Sequence, residues 1–126
     1  MSKKKSLLSI IELGGYPDLS STYKKYGYKP IVVYSMRKAL TVLKKEKPKV
    51  VVAEFNYQSD FRDRTSTLES LIAVAQRNTA MKLVIFYEKE YVHQFEKLQS
   101  RYEFYASFAY PIAEHQIEEV LTRIEA

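Results

Sequence analysis

The residues able to do chemistry are few and widely spaced. Gly14-Gly15 follows a short apolar run and precedes Pro17, so two glycines meet a predicted helix start, where backbone N–H groups can hold an anion. Neither the Lys-Ser/Thr pair of a phosphate loop nor a full G-x-G-x-x-G accompanies them, and a plain turn is the expected outcome. His93 and His115 are the only histidines; each falls on a predicted helix, and both are read as surface residues. Asp60 and Asp63 lie among arginines, where local pairing is favoured over metal binding. Cysteine is absent, which excludes a disulfide framework, a thiolate metal site and a cysteine nucleophile. No nucleophile and base can be paired from the sequence, so no enzyme activity, cofactor or metal is expected.

Tyrosine is the unusual component, at 11 of 126 residues with no tryptophan. Tyr57, Tyr87, Tyr91 and Tyr110 fall at or just past predicted strand ends. Tyrosine there offers a partner an apolar face and a hydroxyl, or fills space left by smaller residues. Tyr57, Tyr91, Tyr105 and Tyr110 are the partner-binding candidates.

These residues must be positioned by five apolar runs that alternate with five segments of helical periodicity. The runs are Leu7 to Leu13, Pro30 to Tyr34, Val50 to Phe55, Leu83 to Tyr87 and Tyr105 to Ala109. Val50-Val51-Val52-Ala53 and Leu83-Val84-Ile85-Phe86 are apolar without alternation, as strands covered on both faces are. Met36, Ala39, Leu40 and Leu43 form one helical stripe with Ser35 as N-cap. Leu68, Leu71, Ile72 and Ala75 form another, with Ser66 and Glu69 as a capping box. Ala113, Ile117, Val120, Leu121 and Ile124 form a third, opened by Pro111 in a first turn. Pro17 to Tyr26, closed by Gly27, and Tyr91 to Tyr102 complete the set. Asn56 to Thr65 is expected to be a polar loop. The pattern implies an α/β fold with a five-stranded parallel sheet covered by helices on both sides, and analogy with flavodoxin-like (βα)5 three-layer sandwiches supplies the strand order 2-1-3-4-5. Ligands in this class sit at the carboxyl ends of the strands.

One domain is expected over residues 7–126, with residues 1–6 a flexible basic start. No apolar run reaches a membrane span or the core of a signal peptide, which implies a soluble cytoplasmic chain. The net charge is +5, from 20 basic and 15 acidic side chains. Lys3, Lys4 and Lys5 supply three of these charges, leaving about +2 on the body. The clearest basic patch, Lys44, Lys45, Lys47 and Lys49, is read as solvated surface.

Pro48-Lys49-Val50-Val51-Val52-Ala53-Glu54 resembles the third strand of response-regulator (CheY-like) receivers, in which a proline and an apolar run lead to the phosphoacceptor aspartate. Tyr110-Pro111 resembles the lysine-proline pair after their fifth strand. The resemblance extends from Leu7 to Ile124 and rests mainly on element order. It implies a degenerate phosphoacceptor pocket at Glu12, Glu54, Tyr87 and Tyr110. Glu54 stands for the acceptor, and Glu12 is the one acidic residue near the place of the magnesium-binding pair. No serine or threonine follows the fourth strand, and Tyr110 replaces the lysine. The aromatic switch position falls at Ser107. Receivers need carboxylates for the hard metal and a hydroxyl and a lysine for the phosphoryl oxygens, so phosphoryl transfer is not expected. Glu54 is read as pointing into water rather than imitating a phosphorylated aspartate, and Glu54→Gln is expected to leave partner binding intact.

The resemblance therefore implies a phosphorylation-independent pseudo-receiver acting as an interaction or adaptor module in two-component-type signalling. Its expected partner is another signalling protein. A homodimer through the fourth helix, fifth strand and fifth helix, within Tyr91 to Ala126, is the second expectation. The alternative is a flavodoxin-like domain binding a small ligand or nucleotide through Gly14, Gly15 and the strand-end tyrosines. Nucleic-acid binding through the lysines ranks last, and no membrane partner is expected.

Overall fold

The computed structural model describes residues 5–55, 62–77 and 81–125, with backbone alone for 62–67. Five strands alternate with five helices: β1 (Lys5–Ile10), α1 (Ser20–Lys25), β2 (Tyr28–Val33), α2 (Met36–Lys45), β3 (Val50–Phe55), α3 (Arg62–Gln76), β4 (Lys82–Tyr87), α4 (Val92–Gln99), β5 (Ala106–Ala109) and α5 (Glu114–Glu125). All pairings are parallel, in the order β2-β1-β3-β4-β5. The parallel α/β sheet is the one that the alternation implies, and its order is the one expected by analogy with flavodoxin-like folds.

The strand side chains divide between two cores because successive residues point to opposite faces. Leu8, Ile10, Val51, Ala53, Phe55 and Ile85 pack with Met36 and Ala39 of α2, Leu71 and Ile72 of α3, and Phe95 of α4. Leu7, Val50, Val52, Val84 and Phe86 pack with Tyr23 of α1 and with Ile117, Val120 and Leu121 of α5. Every residue of β3 is buried, as a central strand covered on both faces must be. Because Val50, Val52 and Glu54 share a face, the strand delivers a carboxylate to the α1–α5 side.

Several boundaries differ from expectation. β1 starts at Lys5, so Lys5 and Ser6 pair with Tyr28 and Lys29 rather than belonging to a flexible start; residues 1–4 lie outside the described residues. The strand ends at Ile10, because the chain then turns away after one last bond from the Ile11 N–H to the Val33 carbonyl (2.9 Å). α1 spans six residues and begins after Pro17, with the Asp18 carboxylate accepting from the Ser20 N–H (3.0 Å). Gly27 closes it at φ 89, a conformation that favours glycine. Ser35 caps α2 by accepting from the Lys38 N–H at 3.2 Å. α3 begins at Arg62, so Ser66 lies inside the helix and not at its start. The apolar stripe marks only the part of that helix that meets the core, from Leu68 onward. Pro111 follows a cis peptide and precedes α5 instead of opening its first turn. The cap is made by Gln116, whose side-chain oxygen accepts from the Ala113 N–H at 2.8 Å, one half of a capping box.

Candidate functional site

Glu54 is 1% exposed, against the expectation that it points into water. Its Oε1 accepts from the Leu13 N–H (3.0 Å). Its Oε2 accepts from the N–H groups of Glu12 (3.1 Å) and Gly14 (3.3 Å) and from the Tyr16 hydroxyl (3.1 Å). Burying a carboxylate costs several kcal/mol, and here four donors directed at a charged acceptor offset that cost. No ion pair to Glu54 occurs among the described residues.

The loop can aim three successive N–H groups inward because Gly14 and Gly15 take φ of 74 and 84, where a side chain would be strained. The two glycines thus form the anion-binding turn that their position suggested, and the anion is the chain's own. They are more than the plain turn expected of them.

Over the carboxylate lies an aromatic cluster. Tyr16 packs edge-on against Phe86, with centroids 5.0 Å apart, and stacks on Tyr110 at 6.0 Å. Phe86 meets Tyr110 edge-on at 6.3 Å. The phenols of Tyr16 and Tyr110 are both pushed well above the usual tyrosine range, by burial first and then by the Glu54 charge. The Tyr110 hydroxyl faces that charge and is buried, with no hydrogen-bond partner among the described residues. A neutral phenol stands where the resemblance places a lysine.

The structure thus gathers Glu12, through its backbone N–H, with Glu54 and Tyr110, and leaves Tyr87 elsewhere. Tyr87 alternates with Phe86 on β4 and stacks on Phe95 of α4 at 4.3 Å, on the opposite face of the sheet. Tyr91 packs half-buried against that same core. Tyr105 is 39% exposed at the amino end of β5, with the Lys82 ammonium 5.8 Å from its ring centroid. It lies beside two clefts of about 410 and 420 Å³ that share Glu103, Phe104 and Tyr105. Tyr57 and Asp60 lie outside the described residues, as does the side chain of Asp63. His93 and His115 are exposed on α4 and α5. Among the described residues no group of three His, Cys, Asp or Glu side chains is placed to hold a metal ion.

Tyr16 was not singled out from the sequence. Its signal was a large hydroxyl residue directly after a glycine pair, at the end of a strand bordering the acceptor strand.

Neither a protein-family model nor a curated protein sequence matches the chain. Solved structures do. The chemotaxis response regulator CheY4 of Vibrio cholerae is 13% identical with a TM-score of 0.71, over 97% of this chain and 99% of that one. A response-regulator receiver domain from Clostridium thermocellum is 8% identical with a TM-score of 0.69, over 95% and 93%. A streptococcal protein, from a family of redox sensors evolved from two-component response regulators, is 15% identical with a TM-score of 0.70, over 95% and 50%. No helix among the described residues is long and apolar enough to cross a membrane. The likeness is one of architecture: this chain has the flavodoxin-like fold of response-regulator receiver domains.

Proposed function

We propose that this chain is a receiver-like signalling domain that works without phosphorylation and without catalysis, by binding another signalling protein. The observation that carries the reading is the enclosure of Glu54. A phosphoacceptor carboxylate must present an oxygen to the donor and share a metal with neighbouring acids. Here both oxygens are committed to internal donors, and the residue at the lysine position is an uncharged phenol. With the carboxylate bonded to the β1–α1 loop, the site serves as a fixed anchor. The streptococcal redox sensors offer a precedent for a response-regulator ancestor put to another use.

The nucleotide-binding alternative loses its best feature, since the loop N–H groups that would cradle a phosphate already face Glu54. Incubating the protein with acetyl phosphate and Mg²⁺, followed by intact-mass analysis, is expected to yield no phosphoprotein. A stable phosphoryl group on Glu54 or Asp60 would overturn the reading. A thermal-shift screen with flavins and nucleotides is expected to show no stabilisation; a clear, dose-dependent rise would favour the alternative.

A further inference from the structure

The α2 helix bears Arg37, Lys38, Thr41, Lys44 and Lys45 on its solvent side, all exposed. At 3.6 residues per turn these five fall within an arc of about 120°, opposite the buried Met36 and Ala39. From Arg37 to Lys49 six cations meet one anion, Glu46, so this stretch carries a net +5, the net charge of the whole chain. The remainder of the sequence balances. Among the described residues Arg37, Lys38, Lys44 and Lys45 have no ion-pair partner, whereas Lys5, Lys25 and Arg101 do.

A solvated face accounts for lysines alone. It does not account for two large apolar residues exposed at the carboxyl end of the sheet, where α2 begins. Tyr34, just ahead of the Ser35 cap, is 72% exposed, and Leu13, in the loop that Glu54 anchors, is 55% exposed. They stand past the carboxyl ends of the neighbouring strands β2 and β1. We propose that the basic face of α2, with Tyr34 just ahead of its amino end and Leu13 past the end of the neighbouring strand β1, docks an acidic protein segment that also carries apolar side chains. The inference rests on the reading of the chain as a protein-binding domain and gives that partner its chemistry. Tyrosine and arginine are enriched at protein interfaces. The cation pairs 37/38 and 44/45 lie about 10.5 Å apart, two helical turns, which matches carboxylates two turns apart on an opposing helix. A nucleic acid calls for a broader cationic field than one helix face in an otherwise balanced chain.

The test is an NMR titration of the full chain with four probes: a synthetic helical peptide of glutamate and leucine, polyglutamate of equal charge, a short DNA duplex, and phosphatidylserine-containing vesicles. The glutamate–leucine peptide is expected to shift the amides of residue 13 and residues 34–45, and to bind about fivefold more tightly than polyglutamate. The triple variant K38E/K44E/K45E is expected to weaken it by about tenfold or more, while K24E/K97E/R123E, with the same charge change on other faces, costs under about twofold. Y34A should remove most of the advantage over polyglutamate. Thermal melts establish that each variant is folded before it is compared. Equal losses in the two triple variants, or peptide shifts confined to α4, β5 and α5, would overturn this surface and leave the protein-binding reading standing. Tighter binding of the duplex or the vesicles would overturn both.

Discussion

Replacing Glu54 by glutamine tests whether the carboxylate holds the β1–α1 loop. The best placement keeps the amide oxygen at Oε2, where it retains the Glu12, Gly14 and Tyr16 donors. The amide nitrogen then faces the Leu13 N–H, donor against donor, where Oε1 accepted at 3.0 Å. An unpaired buried donor costs about 1–3 kcal/mol, and the three surviving bonds lose charge assistance worth roughly half their strength, for a gross loss of about 5 kcal/mol. Relief from burying a charge, several kcal/mol less the cost of burying the amide in its place, offsets about 2 kcal/mol of that. The net is destabilisation of about 3 kcal/mol, or about 12 °C in Tm for a chain of this size. Circular-dichroism melts and urea titrations read the first quantity, and hydrogen exchange at the amides of Glu12, Leu13 and Gly14 reads its location. A drop under about 3 °C with those amides still protected would refute the anchoring role.

The two tyrosines over Glu54 should separate. Tyr16→Phe removes a charge-assisted bond and is expected to cost about 1.5–2 kcal/mol, whereas Tyr110→Phe deletes a buried hydroxyl without a partner and should be neutral or stabilising by up to about 1 kcal/mol; the opposite order in urea denaturation would refute the assignment of donors. Glu54→Asp shortens the reach by one methylene and is expected to destabilise the domain without creating a phosphoprotein on treatment with acetyl phosphate and Mg²⁺. Phosphorylation of that variant would mean that the acceptor alone was lacking. The hydrogen bond from the Lys5 ammonium, and then the one from the Tyr28 hydroxyl, hold the Glu125 carboxyl below its ordinary 4.5. A lowered carboxyl pKa contributes stability above the ordinary value that is lost as pH falls through the lowered one. Because the pair is partly exposed, the contribution is about 0.5 kcal/mol. The stability gap between the parent and Glu125→Gln should therefore close in acid, and a gap that persists at low pH would contradict the linkage.

Much of the architecture was legible because periodicity is a local property. The unbroken apolar runs of β3 and β4 announced strands buried on both faces, and the stripes of α2 and α5 announced amphipathic helices. Boundaries were less legible where local signals mislead. Pro111 suits a first helical turn but lies in a cis peptide before α5, and Ser66 with Glu69 has the form of a cap but lies within α3. The parity of β4 also escaped: Tyr87, adjacent in sequence to Phe86, faces the other core.

Taken alone, the sequence determined the alternating α/β plan, the absence of cysteine chemistry, and the lack of a lysine at the place the receiver resemblance assigns to it. The state of Glu54 was decided by tertiary structure. Its four donors come from residues 38 to 42 positions earlier in the chain, brought to it only when β1 pairs beside β3 and the Gly14-Gly15 turn folds over the strand end. A glutamate at the end of an apolar strand reads the same in sequence whether water or a ring of N–H groups receives it. Only the packing of distant segments determines which.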